Sequence, residues 1–104
     1  MEQYAVYENE GAGKKAYPYL LNIHHPFADK FSHTLMILLI PLDRLQSLPP
    51  ANLCPIITIE TRQYVVMTHM MGGVSAREVG QCARQLDAEI YEIKDAFDFS
   101  LNGI

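Results

Sequence analysis

The chain has 104 residues, enough for one domain of ordinary size with a core that needs neither metal nor disulfide staples. Its composition, 49% hydrophobic and 19% charged, excludes a disordered chain. Eight basic against twelve acidic residues leave a formal charge of −4, with Lys14-Lys15 the densest basic pair. Counterion-release binding to a phosphate backbone needs clustered cations, so direct nucleic-acid contact is disfavoured.

Two cysteines, Cys54 and Cys82, are too few for a disulfide framework and lack metal spacing, which predicts reduced thiols. Met1-Glu2-Gln3-Tyr4 has no basic stretch leading into an apolar run, and the longest apolar run, residues 35–40, is too short for a bilayer. The expectation is a soluble, cytoplasmic protein without a membrane partner.

In chain order, residues 3–7 alternate as a strand, and residues 8–14, with Gly11 and Gly13, supply a turn before a second strand over 17–24. A loop over 25–32 leads into 34–42, apolar on both faces and suited to a central strand covered on both sides. A Pro-rich excursion, Ser47-Leu48-Pro49-Pro50-Ala51-Asn52, follows. Strands over 56–60 and 64–70 flank Thr61-Arg62-Gln63 as a hairpin, and Gly72-Gly73 is expected to break the second of them. Residues 74–85 read equally as a short strand or as an irregular segment.

From Asp87 the period becomes helical. Leu86, Ile90, Ile93, Phe97, Leu101 and Ile104 fall on one stripe, with Asp87 as N-cap and Glu89 in the first turn. Beside that stripe, Tyr91, Asp95, Asp98 and Asn102 line up as a polar row. Phe99 lies nearly opposite the core stripe, where it is either exposed or covered by a second subunit; burial in a dimer is the more economical reading. Many strands followed by one C-terminal helix indicate a mainly β chain, a small barrel or curved sheet covered by that helix.

No motif points to catalysis. His24 and His25 are neighbours on a strand end and face opposite sides, while His33 and His69 stand alone, so no metal set forms and no cofactor is implied. Gly11-Ala12-Gly13-Lys14 precedes no helix and is a turn rather than a phosphate loop. Asp95 and Asp98 are a solvated helix face before they are an acid–base pair. Met67, Met70 and Met71 are core filler, or with Gly72-Gly73 a dimer seam. The residues alone describe a small binding protein.

Together these features resemble the CcdB family of toxins from toxin–antitoxin modules. Gln3-Tyr4-Ala5-Val6-Tyr7 resembles the family's first strand and Tyr17-Pro18-Tyr19-Leu20-Leu21-Asn22-Ile23 its second. Leu39-Ile40-Pro41-Leu42 is similar to its VIPL element, and Leu53-Cys54-Pro55 precedes a strand as in relatives. The spacing from Met67-Thr68 onward matches through Ile93-Lys94-Asp95-Ala96-Phe97-Asp98-Phe99 to Gly103-Ile104. The resemblance spans nearly the whole chain as one domain, 1–104, except for a poor match around 31–38.

It implies an SH3-like barrel with a C-terminal helix, found as a symmetric homodimer. The implied activity is not enzymatic: the dimer binds the DNA gyrase A subunit and traps the cleaved-DNA complex, inhibiting the topoisomerase, until a partly disordered antitoxin of CcdA type releases it. Carried over by position, the gyrase-facing residues are Asp95, Asp98, Asn102, Gly103 and Ile104, with Tyr4, Tyr7, His25, Phe27 and Ala28 from the barrel. The antitoxin surface is carried over to Glu8, Asn9, Glu10, Lys14 and Lys15, with Asp43 and Arg44 after the third strand. This chain has no Trp, and Asn102 stands where the best-known members carry one. That departure motivates an alternative, a binding module that keeps the antitoxin contact and poisons gyrase weakly or not at all. A ribonuclease toxin family shares the barrel, but its chemistry needs grouped basic and acid–base residues, and the scattered Lys and Arg argue against it.

Overall fold

The computed structural model describes residues 2–24, 33–47, 50 and 53–102, with only the backbone of 99–102. Six strands and one α-helix make up this part: β1 (Ala5–Asn9), β2 (Tyr19–Asn22), β3 (His33–Pro41), β4 (Ile56–Ile59), β5 (Arg62–Ser75), β6 (Val79–Gln85) and α1 (Ile90–Asn102). The strands form one sheet in the order β4-β5-β3-β2-β1-β6, antiparallel at every pairing. Its edge strands β4 and β6 are brought together by Arg84, whose Nη1 donates to the Thr58 carbonyl at 2.7 Å. The sheet is thus a nearly closed barrel, mainly β with one C-terminal helix.

Alternation along the strands fills two sides of the sheet. Val6, Leu21, Ile37, Leu39, Ile57, Ile59, Tyr64 and Val66 form the main core with Leu86 and Ile93. The alternate residues Ala5, Tyr7, Leu20 and Met36 form a second cluster, and Val65 and Met67 join Cys54 in a third. Strand β3 therefore contributes to the packing on both faces, as its unbroken apolar run predicts. The Met segment divides accordingly: Met67 is buried, while Met70 and Met71 pack half-buried against different clusters.

Two boundaries differ from the sequence reading. Gly72-Gly73 does not end β5, because both residues stay in the ladder opposite Met36 and Leu35. The interruption comes earlier. Leu38 pairs with Met67 and Ile37 with Met71, so Thr68, His69 and Met70 are pushed out as a bulge. That bulge docks on the preceding loop: Thr68 Oγ1 donates to the Leu53 carbonyl at 2.5 Å, and Cys54 Sγ lies 3.9 Å from His69 Nδ1. Residues 74–85, which the sequence left open, finish β5, pass a 3-10 turn at Ala76–Glu78 and form β6.

The helix also starts later than Asp87. Its first residue is Ile90, and Ile93 N–H bonds the Glu89 carbonyl at 3.1 Å, which puts Glu89 at the cap position. Asp87 instead closes the turn before the helix, its carbonyl accepting from Ile90 N–H at 3.3 Å, and Arg84 Nη2 pairs with Glu89 Oε2 at 2.5 Å beside it. One arginine therefore joins β4, β6 and the root of α1.

Candidate functional site

Helix α1 has two distinct faces. Ile93 and Ala96 are buried, and Ile90 and Phe97 pack half-buried on the main core. Tyr91, Asp95 and Asp98 point away from it, with Tyr91 78% exposed. The polar row read from spacing is thus a surface row. An exposed tyrosine beside acidic groups suits a protein interface, since such rings offer large contact area at low conformational cost. The backbone of Asn102 ends the helix, and its side chain lies outside the described residues, as does that of Phe99. His25, Phe27, Ala28, Gly103 and Ile104 also lie outside them.

Tyr4 is brought to the same face. It sits just before β1 with φ 61°, a left-handed conformation uncommon for a tyrosine. Two backbone bonds hold it there: its N–H donates to the Asn22 carbonyl at 2.7 Å, and its carbonyl accepts from Leu86 N–H at 3.1 Å. The ring consequently meets α1, and the Lys94 ammonium lies 5.5 Å from its centroid. Tyr4, Ile23, Ile93, Lys94, Phe97 and Asp98 line a cleft of about 230 Å³. Tyr7 is not part of this face. Its side chain is buried in the second cluster and its hydroxyl accepts from Glu2 N–H at 2.8 Å.

The other group of residues assembles at the end of β1 away from Tyr4. Glu8, Asn9, Glu10 and Lys14 line one groove with Pro18 and Tyr19. Asn9 is its structural pin: Nδ2 donates to the Tyr17 carbonyl at 2.8 Å and Oδ1 accepts from Gly11 N–H at 2.9 Å. Arg44 ties in the rest of the turn by donating to the carbonyls of Lys15 and Ala16. Asp43 instead pairs with Arg62 at 2.9 Å, and Arg62 lies over the Tyr64 ring. The Asp43 contact raises the Arg62 guanidinium above its ordinary value. Tyr64 meets Tyr19 edge-to-face at 5.0 Å, and burial, then Tyr64, pushes the Tyr19 phenol upward. Tyr19, Tyr64 and Arg62 join the two halves of this surface. Their link was invisible in sequence because the chain separates the residues that the barrel stacks.

His24 Nδ1 is used as an acceptor for Leu35 N–H at 3.0 Å. Among the described residues no three His, Cys, Asp or Glu side chains are placed to hold a metal ion. Cys54 and Cys82 are both free thiols. Among the described residues no helix is long and apolar enough to cross a membrane.

Comparison with known proteins agrees with the fold. A search of curated proteins by sequence finds no match. Among solved structures, the chain is similar to an endoribonuclease in complex with its cognate antitoxin from Mycobacterial species, at TM-score 0.73 and 13% identity, covering 97% of this chain and 94% of that one. It is likewise similar to the Mycobacterium tuberculosis toxin MazF-mt6, at TM-score 0.73 and 9% identity over 94% and 96% of the two chains. Likeness at such low identity shows a shared fold. The family profile described as CcdB protein matches residues 3–103. With that match along almost its entire length, the chain belongs to the CcdB family of toxins from toxin–antitoxin modules.

Proposed function

We propose that this protein acts as a homodimer that binds the DNA gyrase A subunit through the outward face of α1 and traps the cleaved DNA–gyrase complex. The observation that supports this most is the division of the helix. Ile93 and Ala96 fix it to the barrel, leaving Tyr91, Asp95 and Asp98 presented in a row beside the Tyr4 cleft. A rigid helix anchored by core residues presents these groups without an ordering cost at binding. The action is inhibition by binding and not catalysis. A CcdA-like antitoxin is the second partner, received on the Glu8–Glu10 groove and the Arg44-pinned turn.

The test is expression in a gyrase-sensitive bacterium and in one carrying a toxin-resistant gyrase, with a gyrase-dependent DNA cleavage assay in vitro. The proposal expects death of the first strain alone and accumulation of cleaved DNA. Equal growth of both strains, without cleavage, refutes it. A second reading is favoured by Asn102 in place of an aromatic anchor, whose loss from an interface centre costs about 2 kcal/mol or more. On that reading the protein binds antitoxin and poisons gyrase weakly or not at all. RNA cleavage by the pure protein would overturn both.

A further inference from the structure

The bulge in β5 brings together two side chains that the sequence keeps 15 positions apart. Cys54 is 1% exposed in the loop before β4, and its Sγ lies 3.9 Å from Nδ1 of the exposed His69. His69 stands there because Thr68, His69 and Met70 leave the ladder between Met67 and Met71. The backbone on both sides is fixed. Cys54 N–H donates to the Pro50 carbonyl at 2.9 Å, and the Pro55 carbonyl accepts from Val66 N–H at 2.8 Å. The Thr68 hydroxyl donates to the Leu53 carbonyl at 2.5 Å. Thiol and imidazole are thus held face to face, at a separation longer than the bonds that hold the two segments. Two thioethers adjoin them: Met67 is buried in the same cluster as Cys54, and Met70 packs half-buried against it. The other members of that cluster, Val65, Ile40, Leu42, Leu45 and Leu53, are all aliphatic.

We propose that Cys54, His69 and a methionine thioether from this cluster form a binding site for one soft monovalent cation, copper(I). Geometry is the first argument. With metal–sulfur and metal–nitrogen bonds of about 2.3 and 2.0 Å, the 3.9 Å gap sets an S–metal–N angle of about 130°. That is nearer to trigonal than to the tetrahedral arrangement of zinc, and one thioether completes a trigonal set. Ligand chemistry is the second. Thiolate with thioether selects copper(I), and among the described residues no further His, Cys, Asp or Glu joins the pair to suit a harder ion. Charge is the third. Burial raises the Cys54 thiol, so the metal has to displace its proton. Copper(I) does so one charge for one: the proton leaves to solvent, a sulfur–copper bond forms, and neither atom changes oxidation state. Zinc(II) in the same place would leave a positive charge among aliphatic side chains. The exposed imidazole supplies the path by which the ion reaches the buried sulfur.

The test is an anaerobic titration of the full chain with copper(I), supplied as its bicinchoninate complex. A Cys82→Ser background removes the exposed thiol from the measurement. One equivalent of copper(I) per chain should leave the chelator, with a thiolate-to-copper absorption band in the ultraviolet and a rise in Tm. Cys54→Ser and His69→Gln should each weaken uptake by about tenfold or more, and Met67→Leu combined with Met70→Leu by about threefold or more. Circular dichroism checks the fold of Cys54→Ser. His69→Gln, at an exposed position, keeps the assignment testable if that variant unfolds. Zinc(II) should bind about a hundredfold more weakly than copper(I). No uptake from the chelator, uptake unchanged by His69→Gln, or a preference for zinc(II) would overturn the site. Unchanged affinity in the double leucine variant would overturn the trigonal set, and half an equivalent per chain would mean a bridge between two copies instead. Neither gyrase nor antitoxin takes part in the measurement, so its outcome is separate from that of the function proposed above.

Discussion

Replacing Ile93 by Ala tests the division of the helix into a core face and a partner face. Ile93 is 1% exposed and belongs to the main core with Val6, Leu21, Ile37, Leu39 and Leu86. Truncating a fully buried isoleucine costs about 2–5 kcal/mol, the lower end where the site can collapse and the upper where it cannot. Ile93 is held from below by the barrel sheet and from the side by half-buried Ile90 and Phe97, so the middle of that range applies, about 3 kcal/mol. For a domain of this size that corresponds to a fall in Tm of roughly 12–24 °C. The control is Tyr91→Ala, two residues away at 78% exposure, which should stay within about 0.5 kcal/mol of the parent. Urea unfolding followed by circular dichroism measures both, with the slope m compared to confirm that the same surface is exposed. Repeating it over a tenfold range of protein concentration separates any contribution from association. Equal losses for the two variants, or a larger loss for Tyr91→Ala, would mean that the helix faces are assigned the wrong way round.

Further outcomes follow from individual contacts. Glu60 opens the two-residue turn between Ile59 and Arg62 with φ 58°, a position that favours glycine, so Glu60→Gly should stabilise the protein by about 1 kcal/mol in the same urea assay. Arg84→Ala removes the cation paired with Glu89 and the donor to Thr58, and should cost about 1–3 kcal/mol; adding Glu89→Ala should recover part of it, because no half-buried carboxylate is then left alone. Burial raises the Cys54 thiol while Cys82 is exposed, so a thiol reagent on the native protein should label Cys82 first and Cys54 only after unfolding. The same burial has a sign in pH. Above the thiol's ordinary value of 9.0 the unfolded chain loses this proton before the folded one, so the contribution is intact below that pH and fades as it rises. Cys54→Ala should flatten that part of the alkaline limb.

The barrel's strands and the face of its helix were legible because both carry strong periodicity. The run over residues 34–42 announced a strand packed on both faces, and the stripe through Leu86, Ile93 and Phe97 set the helix orientation. What escaped was decided by contacts between distant residues. Gly72 and Gly73 read as a break, yet β3 carries the ladder through them and the bulge falls at Thr68, His69 and Met70. Asp87 has the chemistry of a cap, but its carbonyl closes the turn onto Ile90 N–H and the helix begins after Glu89, which Arg84 pairs. In the candidate site, the Asp95 and Asp98 face was readable from helical spacing alone. The Lys94–Tyr4 contact was not, since it depends on a left-handed tyrosine 90 positions earlier in the chain. Alternation within β1 turns Tyr7 into the second core cluster, opposite Val6, a placement that position in the sequence alone does not give.

Direct binding of the purified protein to the purified gyrase A subunit tests the central claim. The proposal predicts saturable binding that Asp98→Asn weakens, deletion of Ile104 weakens and Asn102→Trp strengthens, while Glu8→Ala in the groove at the far end of β1 leaves it unchanged. Absence of binding by the parent chain and by Asn102→Trp alike would contradict it.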